Sequence, residues 1–169
     1  RYNDGAIAAG AGYQQVTDSL GKKTKATVLG ASYTAGPLYA NIAWAQNKFD
    51  PGTITQAAFT LVLNAQMALN AAGNDVAKRT MVMTGLTYQL APQLNLGGEY
   101  WHATQTHQSA ARSGITSKGD FFAVVLDYAF SKRTDAYLEV DYSKFDGAVL
   151  FASGASKRGG AMVGLRHRF

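Results

Sequence analysis

Residues 118–145 read KGDFFAVVLDYAFSKRTDAYLEVDYSKF, and this stretch decides the fold. Before its polar centre, Ser-Lys-Arg-Thr at 131–134, every second residue is apolar: Phe122, Val124, Leu126, Tyr128 and Phe130. After the centre the alternation resumes, with mostly polar residues between Ala136, Leu138, Val140 and Tyr142. Successive side chains of a β-strand point to opposite faces, so the stretch predicts two strands joined by a tight turn, each with one apolar face.

Eight runs of this alternation follow one another along the chain. Each is about ten residues long, the length of a tilted strand that crosses a bilayer. The predicted strands cover residues 6–15, 25–34, 38–48, 80–90, 94–106, 118–130, 135–145 and 158–169. Short turns at 36–37, 91–92 and 131–134 alternate with long loops at 16–24, 49–79, 107–117 and 146–157. This arrangement predicts one all-β unit over residues 1–169, a transmembrane antiparallel β-barrel whose segment 50–80 is an external loop.

Charged side chains within the predicted strands fall almost wholly on one face of the sheet. We expect that face to line a water-filled interior, with these candidate pore-lining residues: Glu99, Asp127, Glu139, Asp141, Arg166 and Arg168. Glu139 and Asp141 share the face with the two arginines of the next strand, which allows ion pairs between strands. The opposite, apolar rows are expected to face lipid and to end in an aromatic girdle: Tyr33, Trp44, Tyr88, Tyr100, Tyr128, Tyr142 and Phe169.

The composition argues against most other classes of function. Apolar residues make up 47% of the chain, yet no stretch of about 18 residues is free of polar side chains, which argues against a membrane-spanning helix. The chain has no Cys, and its three His lack zinc-ligand spacing, so the sequence predicts no metal, cofactor or enzyme activity. The net charge is +5, but the basic residues do not form one stripe, and we predict no nucleic-acid partner.

Three motifs resemble a known family. Residues 127–142, DYAFSKRTDAYLEVDY, resemble the penultimate hairpin of the general diffusion porins of neisserial and Burkholderia-like bacteria. VGLRHRF at 163–169 is similar to the C-terminus of that family, and LGASY at 29–33 with GPL at 36–38 is similar to its repeated strand–turn unit. The resemblance implies that the chain is the C-terminal half of a sixteen-stranded barrel. The whole barrel would be a homotrimer in the bacterial outer membrane that passes small hydrophilic solutes and ions by diffusion.

The resemblance also implies an assembly signal. Val163, Leu165 and Phe169 form an apolar row ending in an aromatic residue, and such a row is read by the outer-membrane assembly machinery in this family. His167 lies between them and makes the row less purely apolar. Nothing in the chain matches the family's inward-folded constriction loop, so the resemblance implies neither size cut-off nor ion selectivity.

Basic residues gather in or beside the predicted long loops: Lys22, Lys23, Lys25, Lys78, Arg79, Arg112, Lys118, Lys157 and Arg158. At an external mouth they would contact anionic lipopolysaccharide, alongside the outer-membrane lipid, or raise the local concentration of anionic solutes. Solvation of the loops is the simpler interpretation. The predicted inner face offers four acids against two arginines, which gives no support to strong anion selectivity.

Two other functions stay open at this point. A complete eight-stranded membrane barrel would act as a structural anchor or an adhesin. Eight strands enclose a lumen that side chains fill, whereas the inner rows of the first two strands are small, with Gly10, Gly12 and Gly30 among them, which favours the larger barrel. A soluble binding barrel is disfavoured because its apolar rows would face outward into water.

Overall fold

The computed structural model of the chain describes residues 2–53, 76–147 and 154–169. These residues form one antiparallel sheet of nine strands, hydrogen-bonded in sequence order, which confirms the predicted all-β class. The strands are β1 (Tyr2–Asn3), β2 (Ile7–Thr17), β3 (Lys23–Ala35), β4 (Leu38–Phe49), β5 (Val76–Ala91), β6 (Leu94–His107), β7 (Thr116–Ala129), β8 (Thr134–Asp146) and β9 (Lys157–His167). A 3-10 helix at Ala110–Arg112 precedes β7. No helix within these ranges has the length and apolar character needed to cross a membrane.

The structure differs from the prediction mainly in strand number and strand ends. The ninth strand, β1, has two residues, too few to show a period. β5 begins at Val76 rather than at 80. The predicted loop at 16–24 is a turn of residues 18–22, because β2 and β3 pair as far as Thr17 and Lys23. Alternation stops where neither face meets an apolar environment, but the ladder of backbone hydrogen bonds continues beyond that point. The predicted loops at 49–79, 107–117 and 146–157 are shortened for the same reason. Most of the predicted external loop at 50–80 lies outside the described residues.

Local sequence explains the short turns at one end of the sheet. Gly36 and Pro37 join β3 to β4, and Gly36 has a φ of 53°, which glycine adopts without strain. Because proline holds its own φ near about −65°, the pair fits the type II′ turn that suits a twisted hairpin. Between β7 and β8, the Ser131 Oγ accepts hydrogen bonds from the backbone N–H groups of Arg133 and Thr134, both at 3.1 Å. We call the other end of the sheet, with connections 18–22, 50–75, 108–115 and 147–156, the long-connection end.

The register separates the side chains into two faces, as the alternation predicts. The prediction that strand charges fall almost wholly on one face is wrong, because lysines near the strand ends also lie on the face of the apolar rows. On the apolar face, Leu96, Leu126 and Leu138 lie directly opposite one another on β6, β7 and β8. Large apolar side chains on this face are exposed, among them Ile42 at 56% and Val140 at 50%. On the other, polar face, buried apolar residues gather toward the long-connection end: Phe49, Met81, Ala103 and Phe145.

The sheet is open within the described part of the chain. β1 and β2 form one edge and β9 forms the other, and the two edges share no ladder. A closed small barrel requires its first and last strands to pair. The observed sheet therefore has the topology of a piece of barrel wall.

Candidate pore wall

Three carboxylates lie near the middle of the polar face of β6–β8. Glu99 lies opposite Ala123, which in turn lies opposite Asp141, so these residues form one row across the three strands. Glu139 lies opposite Val125, one row closer to the short turns. Among the described residues, none of the three carboxylates takes part in an ion pair. Unpaired carboxylates on one face produce a negative field there, which attracts cations.

The shared face allows ion pairs of Glu139 and Asp141 with the arginines of the last strand, but none forms among the described residues. Glu139 lies opposite Met162, and Asp141 lies opposite Gly160. Because β8 and β9 are antiparallel, the end of β9 meets the start of β8 and not its middle. The arginines therefore lie several residues away from Glu139 and Asp141.

Arg166 instead binds two carboxylates near the short turns. It lies opposite Asp135, and its Nε donates to both oxygens of that carboxylate at 3.0 and 3.1 Å, while its Nη2 also donates to Oδ2. The same Nη2 lies 3.6 Å from Oδ2 of Asp127. Asp135 is not among the predicted pore-lining residues, although it lies two residues before Tyr137 and therefore shares the polar face. Arg168 follows the end of β9, and its backbone N–H donates to the Arg133 carbonyl at 2.9 Å.

Several glycines of the polar face lie beneath side chains of the neighbouring strand. A Cβ on Gly119 would come within 2.8 Å of the Phe145 ring, and one on Gly160 within 2.9 Å of the Asp141 carboxylate. A Cβ on Gly164 would overlap the ring of Tyr137, which lies directly opposite. These larger side chains therefore lie along the wall and keep the space in front of it open.

The polar face is buried at the long-connection end. Arg79 is 3% exposed, and its Nε and Nη2 both donate to Oε1 of Gln105, at 3.1 and 2.9 Å. Next to them, His107 Nε2 and Ser117 Oγ are 2.9 Å apart. The sequence predicts a loop at Arg79, because alternation becomes clear only at residue 80. Its parity with Met81 is the signal that would have placed it on the polar face.

The basic residues grouped at the predicted long loops divide between the faces. Arg79 and Arg158 lie on the polar face, the latter opposite Ser143, while Lys22 and Arg112 lie in connections. The remaining five share the face of the apolar rows, near the long-connection end: Lys23, Lys25, Lys78, Lys118 and Lys157. Lys48 and Lys144 join this second group.

The proposed assembly residues lie at or beyond the edge strand. Val163 and Leu165 are on the apolar face of β9, 79% and 70% exposed. Phe169 follows the end of the strand, and its ring packs edge-on against His167 with 4.9 Å between ring centroids. Within the described ranges, no group of three His, Cys, Asp or Glu side chains is placed to hold a metal ion.

Consecutive antiparallel strands with one exposed apolar face and one charged face define a class of protein, the walls of transmembrane β-barrels. A sequence model of the family described as Gram-negative porin matches residues 1–148, and the chain belongs to that family. It is thus a porin-family protein of the bacterial outer membrane. No curated protein matches the chain in sequence at a significant level.

Solved structures of a porin and of another outer membrane protein show the same fold. The anion-selective porin from Comamonas acidovorans matches with a TM-score of 0.64 at 21% identity, over 99% of this chain and 47% of that one. In-vitro folded OmpT, an outer membrane protein of Vibrio cholerae, matches with a TM-score of 0.66 at 13% identity, over 98% and 52% of the two chains. Its trimer form gives 0.61 at 13% identity, over 98% and 52%. The chain therefore spans about half the length of these structures.

Proposed function

We propose that the chain forms part of the wall of a water-filled outer-membrane channel, through which small hydrophilic solutes and ions diffuse passively. The division of the sheet into two faces carries this proposal. Glu99, Glu139 and Arg166 lie on the polar face, while exposed apolar rows cover the other. With the apolar rows in lipid, the polar face borders a space that holds water, because charges are stable there and not in the hydrocarbon.

The proposed channel is larger than this sheet. Eight strands close around a lumen that side chains fill, whereas sixteen leave an aqueous channel. The chain would supply half of such a sixteen-stranded barrel, and its share of about half of each matching structure supports this size. The small residues Gly10, Gly12 and Gly30 on the polar face also favour an open lumen over a packed one. A complete eight-stranded anchor or adhesin is not favoured, since β2 and β9 share no ladder within the described residues.

The proposal extends to partners and to a subgroup of the family. The trimer form of the Vibrio cholerae protein supports a homotrimer. Motif 127–142 covers the turn between β7 and β8 and most of β8, and it supports the neisserial and Burkholderia-like subgroup. The lysines beside the apolar rows support contact with lipopolysaccharide and other outer-membrane lipid.

Assembly machinery is a further proposed partner. Val163, Leu165 and Phe169 present apolar surface at a sheet edge, where a receptor for unfolded barrels could bind it. Phe169→Ala should lower the yield of assembled trimer in cells and leave the conductance of assembled channels unchanged, whereas Arg168→Ala should preserve the yield. A wild-type yield for Phe169→Ala would contradict this role.

The two-face assignment can be tested with thiols, because the chain has no Cys. Glu139→Cys places a thiol on the polar face, and Leu138→Cys places one on the adjacent apolar position. A bulky, membrane-impermeant thiol reagent should reduce the single-channel conductance of the intact protein carrying Glu139→Cys and leave that of Leu138→Cys unchanged. Equal effects on the two variants would overturn the proposed pore wall.

A further inference from the structure

Three lysines lie side by side on the face of the apolar rows, close to the long-connection end. Lys25 of β3 lies opposite Lys48 of β4, and Lys48 lies opposite Lys78 of β5. All three are exposed. Like charges directly opposite each other on neighbouring strands destabilise a sheet. We call these residues the lysine row, and its repulsion requires compensation.

The described residues of the chain offer the lysine row no carboxylate. No residue of β2–β5 is acidic. The nearest described carboxylates along the chain bind backbone groups: Asp18 Oδ1 accepts from the N–H of Lys22 at 2.8 Å, and Asp50 Oδ2 accepts from that of Lys23 at 2.9 Å. Within the described ranges, no ion pair reaches Lys25, Lys48 or Lys78.

On the same face of β7 and β8, the lysines lie opposite carboxylates. Lys118 lies opposite Asp146, and Lys144 lies opposite Asp120. Lys144 Nζ is also 2.9 Å from Oδ2 of Asp146. Here the chain places acids beside its lysines, so the absence of acids around the lysine row is a property of β3–β5 and not of the whole rim.

Polarity increases in steps toward the lysine row along the same three strands. Leu29, Trp44 and Val82 form an apolar and aromatic row, and Thr27, Gln46 and Thr80 form an uncharged polar row beyond it. Gln46 Nε2 donates to Thr80 Oγ1 at 3.2 Å. Each step of two residues advances about 7 Å along a strand, and three neighbouring strands span roughly 10 Å. The order from apolar to hydroxyl and amide to cation matches the order of acyl chain, sugar and phosphate in a glycolipid.

We propose that the lysine row binds phosphate groups on the headgroup of an outer-leaflet lipopolysaccharide. This inference rests on the proposed function for its orientation, since long connections of such barrels lie outside the cell. Aromatic residues favour the boundary between hydrocarbon and headgroup, which places Trp44 at that boundary and the lysine row level with the phosphates. A second copy of the chain is a poorer occupant, because Asp120 is engaged by His102 at 2.8 Å and Asp146 by Lys144.

The test compares two triple variants of the intact protein in mild detergent, titrated with lipopolysaccharide. The lysine-row variant is Lys25→Gln with Lys48→Gln and Lys78→Gln. The control is Lys118→Gln with Lys144→Gln and Lys157→Gln, which removes the same charge from the same end of the sheet. A basic residue at an anionic membrane surface contributes about a factor of five, so the lysine-row variant should bind roughly a hundredfold more weakly. The control should lose no more than about fivefold, the share of Lys157, because Lys118 and Lys144 lie opposite Asp146 and Asp120 and are already partly neutralised.

Additional probes identify the ligand. Enzymatically dephosphorylated lipopolysaccharide should bind the wild-type protein as weakly as phosphorylated lipopolysaccharide binds the lysine-row variant. Inorganic phosphate at millimolar concentration should not compete with lipopolysaccharide for the wild-type protein. Equal losses in the two triple variants, undiminished binding of the dephosphorylated lipid, or competition by inorganic phosphate would each overturn the proposal. So would loss of the oligomer at unchanged lipopolysaccharide affinity, which would indicate an interface between copies. Conductance in bilayers free of lipopolysaccharide tests the channel separately, and there the lysine-row variant should match wild type.

Discussion

β2–β5 and β6–β9 share one two-faced pattern but differ in their charges. The strands of β2–β5 contain no acidic residue. Those of β6–β9 contain seven: Glu99, Asp120, Asp127, Asp135, Glu139, Asp141 and Asp146. Membrane insertion requires an apolar outer face, and it leaves the charges of the inner face and the rims free to vary. The acid-free part and the acid-rich part are therefore built alike and suited to different electrostatic roles.

Because only β6–β9 contain acids, the basic residues of the two parts differ in whether the chain itself neutralises them. In β6–β9, Arg166 pairs with carboxylates of β7 and β8, and Lys144 pairs with Asp146 of its own strand, so their charges are balanced within the chain. In β3–β5, the lysine row has no such partner among the described residues. Its charge is available to anions outside the protein. Under the proposed function, the carboxylates Glu99, Glu139 and Asp141, which form no ion pair among the described residues, would act on ions that pass along the polar face.

The largest expected effect tests the feature that both parts share. Leu126→Arg in β7 places a charge on the apolar face and should destabilise the protein by roughly 2–4 kcal/mol, provided that it lies near the bilayer midplane. Val125→Arg, on the polar face opposite Glu139, should cost less than about 1 kcal/mol. Urea titration of the protein refolded in lipid vesicles measures both. Equal losses would show that the two faces are not distinguished by lipid.

The same substitution in the acid-free part sharpens the comparison. Leu29 of β3 lies one row from the polar residues Thr27 and Gln46, so it is nearer to the membrane surface. The penalty for a buried arginine decreases toward the surface, and Leu29→Arg should cost about 1–2 kcal/mol. A penalty above that of Leu126→Arg would place the polar row at the wrong depth.

The second test concerns how the wall is packed in the two parts. Gly164→Ala adds a Cβ that overlaps the Tyr137 ring, and moving that ring should cost roughly 1–3 kcal/mol. Gly10→Ala in β2 meets no atom within 4 Å and should change stability by less than about 0.5 kcal/mol. Thermal unfolding of the two variants measures this difference in stability. If both are neutral, Tyr137 moves freely and does not lie fixed along the wall.

The sequence allowed the faces to be predicted better than the register. Period-two alternation assigned Leu126 and Asp127 to opposite faces without knowledge of any neighbour. Pairing Arg166 with Asp135 required the register of β8 against β9, which the long connection between them leaves undetermined. Arg79 was missed for another reason, since pairing continues beyond the residues whose alternation reports an apolar environment. Predictions of faces were therefore secure, and predictions of contacts across strands were not.

A smaller effect is expected from the charge network at the short turns. Arg166→Gln removes the cation that separates Asp127 from Asp135 and should shift the reversal potential toward cations. Arg168→Gln, beyond the end of β9, is the matched control and should shift it less. Arg166 is half exposed, so the loss of stability should be slight, and a failure to fold would identify it as a structural residue instead.

The smallest effect is expected from a carboxylate placed in the acid-free part. Ser32 lies on the polar face of β3, opposite Ala8 and Asn41, with no charged residue directly beside it on the neighbouring strands. Ser32→Asp changes the wall by one unit of charge, as Arg166→Gln does, but it frees no second carboxylate. Screening limits its field to about 8 Å at physiological salt, so ions passing along β6–β8 should hardly sense it. Its shift in reversal potential should therefore be below that of Arg166→Gln and should vanish at 1 M salt, where the screening length falls to about 3 Å. A shift above that of Arg166→Gln would mean that permeating ions pass closer to β3 than to β8, and that the acid-free part controls selectivity.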